Sequence, residues 1–131
     1  MFFEQMHPTW QAAIPDSKAI LDALETKLEQ RGTHYLPEKQ LVMRAFEAPL
    51  DEIRVVIIGQ DPYPTVGHAI GLSFAVAAET KPLPRSLNNI LRELGDDLGK
   101  SIERTGDLTK WADRGVFLLN RHLTTDAADA G

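Results

Sequence analysis

The sequence predicts an α/β fold built on a parallel sheet in three layers, and three observations carry that reading. Val55-Val56-Ile57-Ile58 and Val116-Phe117-Leu118-Leu119 are short apolar runs with the length of strands buried on both faces. A long stretch of helical periodicity separates them, which calls for parallel pairing through a right-handed crossover. Further helical patterns precede the first run, so both faces of such a sheet can be covered.

The elements follow in order. Asp16-Ser17 can open a helix whose apolar positions Ile20, Leu24 and Leu28 fall four apart, with Gly32 to close it. A second short helix is expected over Glu38–Glu47, with Leu41, Val42, Ala45 and Phe46 inward. The strand Val55–Ile58 stops at Gly59, because Asp61-Pro62 cannot continue a ladder. Pro64–Gly71 reads as a loop holding His68, Leu72–Val76 as a short apolar piece, and Lys81–Arg85 as a rigid proline loop. Ser86 then caps a strong helix with Leu87, Ile90, Leu91, Leu94 and Leu98 on one face, closed at Gly99. Asp107 can cap a short helix bearing Trp111, ended by Gly115, and the second strand runs to Asn120. After Asn120 only Arg121 to Gly131 remain. The stretch from Asp126 to Gly131 offers nothing to form a strand, so one domain, 1–131, is expected to be incomplete at its C-terminus, truncated after the second core strand.

Composition bounds the function classes. The 131 residues suit one small domain or part of one, with 43% hydrophobic residues to build a core. The absence of cysteine excludes disulfides and thiolate metal sites and fits a reducing compartment. No apolar run approaches a membrane span, and Met1-Phe2-Phe3-Glu4 lacks the basic start of a signal peptide. A formal net charge of −5 argues mildly against a nucleic-acid binder, yet leaves room for a local basic strip. His7, His34, His68 and His122 are scattered and read as solvated or locally bonded; no metal cluster is expected.

Chemistry concentrates at the ends of the two strands. Gln60, Asp61 and Tyr63 place an amide, a carboxylate and a phenol on a stiff turn, where open α/β sheets bind ligands. Asn120 occupies the equivalent end of the second strand. Its carbonyl and NH₂ suit the O4 and N3–H edge of uracil and mismatch cytosine, whose polarity is reversed. Taken alone, each has a plainer reading. Gly-x-Asp-Pro is most often a strand-ending turn, Asn120 a loop residue bonding local backbone, and Phe74 a core aromatic.

Five motifs change those odds. Gly59-Gln60-Asp61-Pro62-Tyr63, Gly71-Leu72-Ser73-Phe74, Pro84-Arg85-Ser86-Leu87-Asn88-Asn89-Ile90, Gly106-Asp107-Leu108 and Gly115-Val116-Phe117-Leu118-Leu119-Asn120 occur in this order. Together with Tyr35-Leu36-Pro37 and Arg44-Ala45-Phe46, the chain resembles the N-terminal portion of a family 1 uracil-DNA glycosylase from about His7 to Thr124. The resemblance implies that fold, and base-excision repair by hydrolysis of the N-glycosidic bond of deoxyuridine. It implies that Asp61 positions the attacking water and stabilises the cationic sugar, electrostatic work of the kind that dominates many active sites. Tyr63 would exclude the thymine methyl, a job for a steric wall because one methyl discriminates weakly by affinity. Phe74 would stack on the base, Asn120 would read it, and Gln60 would contribute through its backbone. Pro82, Pro84 and Ser86 would press on DNA phosphates at a helix start. The target nucleotide must be flipped out to be enclosed. No cofactor is implied. The expected partner is uracil-containing DNA, single- or double-stranded, with a monomeric full-length protein in the bacterial cytoplasm and no membrane.

Two departures stand beside the resemblance. Pro64 replaces the histidine that usually follows the tyrosine, as in some bacterial members. The His-Pro-Ser-Pro motif of the family's second half, which would stabilise the leaving uracil anion, has no counterpart here. Two rival readings follow: an inactive fragment or DNA-binding module without catalysis, and a small nucleotide- or base-binding α/β protein.

Overall fold

The computed structural model describes residues 1–32 and 34–127. The chain opens with three helices, α1 (Phe2–Gln5), α2 (Pro8–Ala13) and α3 (Ser17–Arg31), followed by a two-residue strand, β1 (Tyr35–Leu36). As expected, α3 begins after Asp16 and closes on Gly32, whose φ of +61° lies in the left-handed region that favours glycine. Its inward face differs from the predicted one. Leu28 turns inward as expected, but Ile20 and Leu24 are exposed and their neighbours Leu21 and Glu25 face the core instead. One residue of offset rotates a helix by about 100°. Polar anchoring accounts for the choice: the buried Glu25 carboxylate accepts the Phe2 N–H at 2.8 Å and meets Lys39 Nζ at 2.7 Å. Phe2, Phe3, Met6, Val42 and Met43 form a small core under this anchor.

The expected helix over Glu38–Glu47 is two separate 3₁₀ turns, Lys39–Leu41 and Arg44–Glu47. The expected inward residues are otherwise right, with Val42 and Ala45 buried and Leu41 and Phe46 partly so. The break has a packing cause. Val42 and Met43 belong to the N-terminal core, Ala45 to the main one, and Phe46 packs against both, so the segment serves two cores where a single helix would turn one apolar stripe to one of them.

The central pair is β2 (Val55–Gly59), followed by α4 (Arg85–Leu98) and α5 (Thr109–Asp113), and then β3 (Val116–Asn120). β2 and β3 are parallel, in register from Val55↔Val116 to Gly59↔Asn120, as the crossover reading requires. β4 (Thr125–Asp126) pairs antiparallel with β1. That overturns the expectation that the chain from Asp126 onward holds nothing for a strand. Asp126 lies opposite Tyr35 and accepts two hydrogen bonds from Arg31 Nη2 at 2.9 and 3.0 Å. A two-residue strand needs only backbone partners and such a clasp, not an apolar pattern. The remainder of that expectation, residues 128–131, lies outside the described residues.

The main core gathers Leu72, Ala75, Val76, Leu87, Leu91, Leu108, Phe117 and Leu118. Trp10, Phe46 and Phe117 close one side with ring centroids 5.0–5.3 Å apart. β3 is thus enclosed, but β2 is not: Val55, Val56 and Ile58 are 50, 56 and 57% exposed. The reading of Val55–Ile58 as a strand buried on both faces is corrected here. Among the described residues each of the two strands has one partner, and the difference lies in the packed layers, which centre on β3.

Two capping expectations are corrected. Pro84, with extended backbone, holds the cap position of α4, so Ser86 is the second residue of the helix and not its cap. Asp107 is not at the cap position of α5 either, which Leu108 holds, but its Oδ1 does accept from the Thr109 N–H at the helix start at 3.0 Å.

Candidate functional site at the carboxyl ends of the parallel strands

The site is built from the last rung of the β2–β3 ladder. Gly59 lies opposite Asn120, and a Cβ at position 59 would stand 2.3 Å from Asn120 Oδ1 and 2.9 Å from Ser73 Cβ. Glycine is therefore what lets the Asn120 amide lie over the end of β2. Two more rungs continue past β3: Arg121 N–H donates to Gly59 O and His122 N–H to Gln60 O, each at 2.9 Å. These bonds hold the Gln60–Asp61 turn and leave Gln60 with its carbonyl occupied. Ser73 steadies the same corner, its N–H donating to Leu118 O at 3.1 Å and its hydroxyl to Ile57 O at 3.4 Å. Ser73 was missed as a site residue. Its signal lay in the Gly71–Phe74 motif, where a small residue fully buried beside a strand end supports what the strand presents.

Asp61 is exposed and lines an open cleft of about 310 Å³ with Arg31, His122, Thr124, Thr125 and Asp126. Asn120 does not line that cleft; it sits one rung away, over Gly59. The two residues share the carboxyl end of the strand pair, but the described residues do not enclose them in one pocket. His122, read as a solvated histidine, is exposed and lines the Asp61 cleft. A more enclosed cavity of about 400 Å³ lies at the opposite, amino end of the strands, among Arg44, Ile53, Gly115 and Val116, and contains none of the predicted site residues.

Tyr63 and Phe74 form the aromatic part. Tyr63 is half-buried, and its hydroxyl donates to Phe74 O at 3.0 Å. Burial pushes the Tyr63 phenol above its ordinary range, against a smaller opposing pull from a hydrogen bond with Ser86, so it stays neutral and a donor. Phe74 has φ +64°, the only non-glycine at positive φ among the described residues. For a bulky residue that conformation costs on the order of 1–3 kcal/mol and marks a position held by its surroundings. The Tyr63 bond to its carbonyl is part of that hold.

Pro82 and Ser86 are exposed, and Pro84 stands directly before α4. The Tyr63–Ser86 interaction brings this rim against the aromatic pair. Gln60 is exposed at the turn. Among the described residues no group of three or more histidine, aspartate or glutamate side chains could hold a metal ion.

A parallel strand pair that presents an amide, a carboxylate and a braced pair of aromatic residues at its carboxyl end defines an α/β protein with a candidate ligand site at the strand ends. Comparison with known proteins narrows that class. The chain is 50% identical over 124 residues to the uracil-DNA glycosylase of Mycobacterium ulcerans, covering 92% of this chain and 55% of that protein. It is 59% identical over 101 residues to that of Mycolicibacterium smegmatis, covering 77% of this chain and 44% of the relative. Uracil-DNA glycosylase 1 of Streptomyces coelicolor is 60% identical over 94 residues, 72% of this chain and 42% of its own length. The fold matches the crystal structure of mimivirus uracil-DNA glycosylase with a TM-score of 0.83 at 31% identity, over 98% of this chain and 51% of that one. A mimivirus UNG variant in complex with UGI matches with a TM-score of 0.85 at 30% identity, over the whole of this chain and 53% of that one. No family model matches. Over the portion it spans, the chain matches uracil-DNA glycosylases in both sequence and fold. It spans about half the length of the curated relatives it matches.

Proposed function

We propose that the protein to which this chain belongs excises uracil from DNA, and that the described residues supply its base-reading and carboxylate elements. The observation that carries this reading is the Gly59–Asn120 rung, which lays a fixed amide beside the Gln60–Asp61 turn. In this reading Asn120 Oδ1 accepts from uracil N3–H and its NH₂ donates to O4. The flipped base stacks on Phe74, and Tyr63 fills the space a thymine methyl would need. Gln60 contributes mainly through its backbone N–H, its carbonyl already accepting from His122. Asp61 orients water against the anomeric carbon, stabilises the cationic sugar and accepts the water's proton. The carbon–nitrogen bond breaks with its electron pair leaving on uracil, and an abasic site remains. Pro82, Pro84 and Ser86 press on the flanking phosphates.

The two rival readings are not favoured by matches that all carry the uracil-DNA glycosylase name. The expected setting is a monomer in the bacterial cytoplasm acting on single- or double-stranded DNA; no described helix is long and apolar enough to cross a membrane. Residues 1–131 form one portion of a single domain in this reading, and the exposed flank of β2 is where the rest would pack.

The test is uracil release from a deoxyuridine oligonucleotide, by this chain alone and by this chain joined to the remaining length of the M. smegmatis relative. The open Asp61 cleft leads to the expectation that the chain alone is slower than the joined protein by at least about 10²-fold, the scale of one missing transition-state donor. In the joined protein Asp61→Asn should abolish most turnover. Tyr63→Ala should admit thymine, and Asn120→Asp should shift preference toward cytosine. A joined protein whose rate and base preference survive all three substitutions would remove these residues from the site.

A further inference from the structure

Four of the fourteen lysines and arginines are paired with carboxylates, and five of the ten that are not lie close together. Lys18, Lys39, Arg31 and Lys110 each meet a carboxylate: Glu4 and Asp22, Glu25 and Glu29, Asp126, and Glu103 respectively. Among the described residues Lys81, Arg85, Arg92, Lys100 and Arg104 have no such partner, all five are exposed, and they share one flank of the molecule. Arg85, Asn88, Arg92 and Asp96 follow one another at three- and four-residue steps, so they share a face of α4. The 100–104 segment runs beside that face. Arg104 Nη2 bonds Asn88 Oδ1, and Lys81 Nζ donates to Arg104 O at 2.8 Å. An open groove of about 710 Å³ runs between them, lined by Arg92, Lys100 and Arg104, with Asp96 as its one acid.

We propose that this strip is a track for the DNA backbone beyond the phosphates at the site. The inference rests on the DNA reading above and extends it to the flanking duplex. The strip starts at the turn of α4 that carries Ser86, the rim of the aromatic pair. α4 has 14 residues. A helix of that length spans ~21 Å, and with one phosphate per ~3.4 Å of each strand that reach matches about six base pairs. On a chain of net charge −5, the strip gathers five cations, with Asp96 on the same face and Glu93 and Asp97 turned to the neighbouring face of α4. Asp96 interrupts it toward the far end of α4, so the strongest attraction lies between Arg85 and Arg92.

The experiment is fluorescence anisotropy of the 131-residue chain with two duplexes, each holding one deoxyuridine, one of roughly 8 and one of roughly 20 base pairs, across 50–200 mM salt. Every cation that neutralises a phosphate adds about 0.9 to the steepness of log affinity against log salt. Arg92→Gln with Lys100→Gln should therefore flatten the slope on the longer duplex by about 1.8, roughly a 12-fold smaller loss of affinity over that salt range. On the shorter duplex the same pair should have a much smaller effect. Asp96→Asn should tighten binding to the longer duplex. Lys27→Gln with Arg114→Gln removes the same charge from exposed sites off the strip and should leave the slope as in the parent chain. Equal slopes for the two double variants, with cooperative melts showing both folded, would overturn the track. If the parent chain binds neither duplex, the DNA reading fails and the track fails with it. Binding that ignores the strip refutes the track alone.

Discussion

β2 and β3 are neighbours with near-identical chemistry and opposite surroundings. Both are five-residue apolar strands, and they pair along their whole length. In β3, Phe117 and Leu118 are buried under Trp10, Phe46, Leu72 and Leu87. In β2, three of the four apolar side chains are at least half exposed. An apolar run therefore states that a segment can be buried, while the segments packed over it decide whether it is. The shared end shows a second contrast: β2 supplies the glycine that makes room, and β3 the amide that fills it.

The largest effect should come from a cavity on the covered side. Leu118, 1% exposed, should cost about 2–5 kcal/mol when replaced by alanine, whereas Ile58→Ala at 57% exposure should cost less than about 1 kcal/mol. Equilibrium denaturation of the two variants would show the gap, and similar losses would mean that β2 is as buried as β3. Next comes Gly59→Ala. Its Cβ would overlap Asn120 Oδ1 and Ser73, so overpacking should cost on the order of 1–3 kcal/mol and displace the amide. A full-stability Gly59→Ala variant would show that the last rung is looser than described.

A smaller change in stability but a clear one in behaviour is expected for Ile58→Lys. An exposed apolar edge invites pairing between copies, and an inserted lysine blocks it. Sedimentation of the parent chain should show self-association that this variant relieves, with unfolding free energy within about 0.5 kcal/mol of the parent. A parent chain that sediments as a monomer at high concentration would sink this expectation.

The smallest effect concerns the N-terminal anchor, far from both strands. Lys39 holds the Glu25 carboxyl below its ordinary value of 4.5, helped by the Phe2 N–H and opposed by desolvation. A depressed folded-state pKa gives stability that is present above about pH 4.5 and lost as pH falls through the folded value. Thermal melts of the parent chain should therefore weaken more steeply below pH 4.5 than those of Glu25→Gln. Parallel pH profiles would show that the anchor contributes nothing electrostatic.

Much of the arrangement was legible in the sequence. The helix between Asp16 and Gly32, the helix closed at Gly99 and the parallel pair follow from periodicity, caps and the crossover rule, all of which act over a few residues. Gln60, Asp61, Tyr63 and Asn120 could be singled out because strand ends and punctuating glycines and prolines announce where side chains are presented, whereas Phe74 entered only through the family resemblance. Ser73 and the brace between the Tyr63 hydroxyl and the Phe74 carbonyl were not, because both join segments whose separation no local pattern records.

By itself, the sequence determined the helices closed at Gly32 and Gly99, the two core strands and how they run, and which chemistry stands at their ends. Only the tertiary structure decided that Ile20 and Leu24 face outward, that Glu38–Glu47 breaks into two turns and that β2 is the exposed partner. It also set the Asn120 amide above Gly59. The physical reason is the same in each case. Periodicity and capping are local energies written in neighbouring residues. The buried Glu25 anchor, the sharing of one segment between two cores and the last rung of the ladder are energies between residues 14 to 61 positions apart, which exist only once the chain has folded.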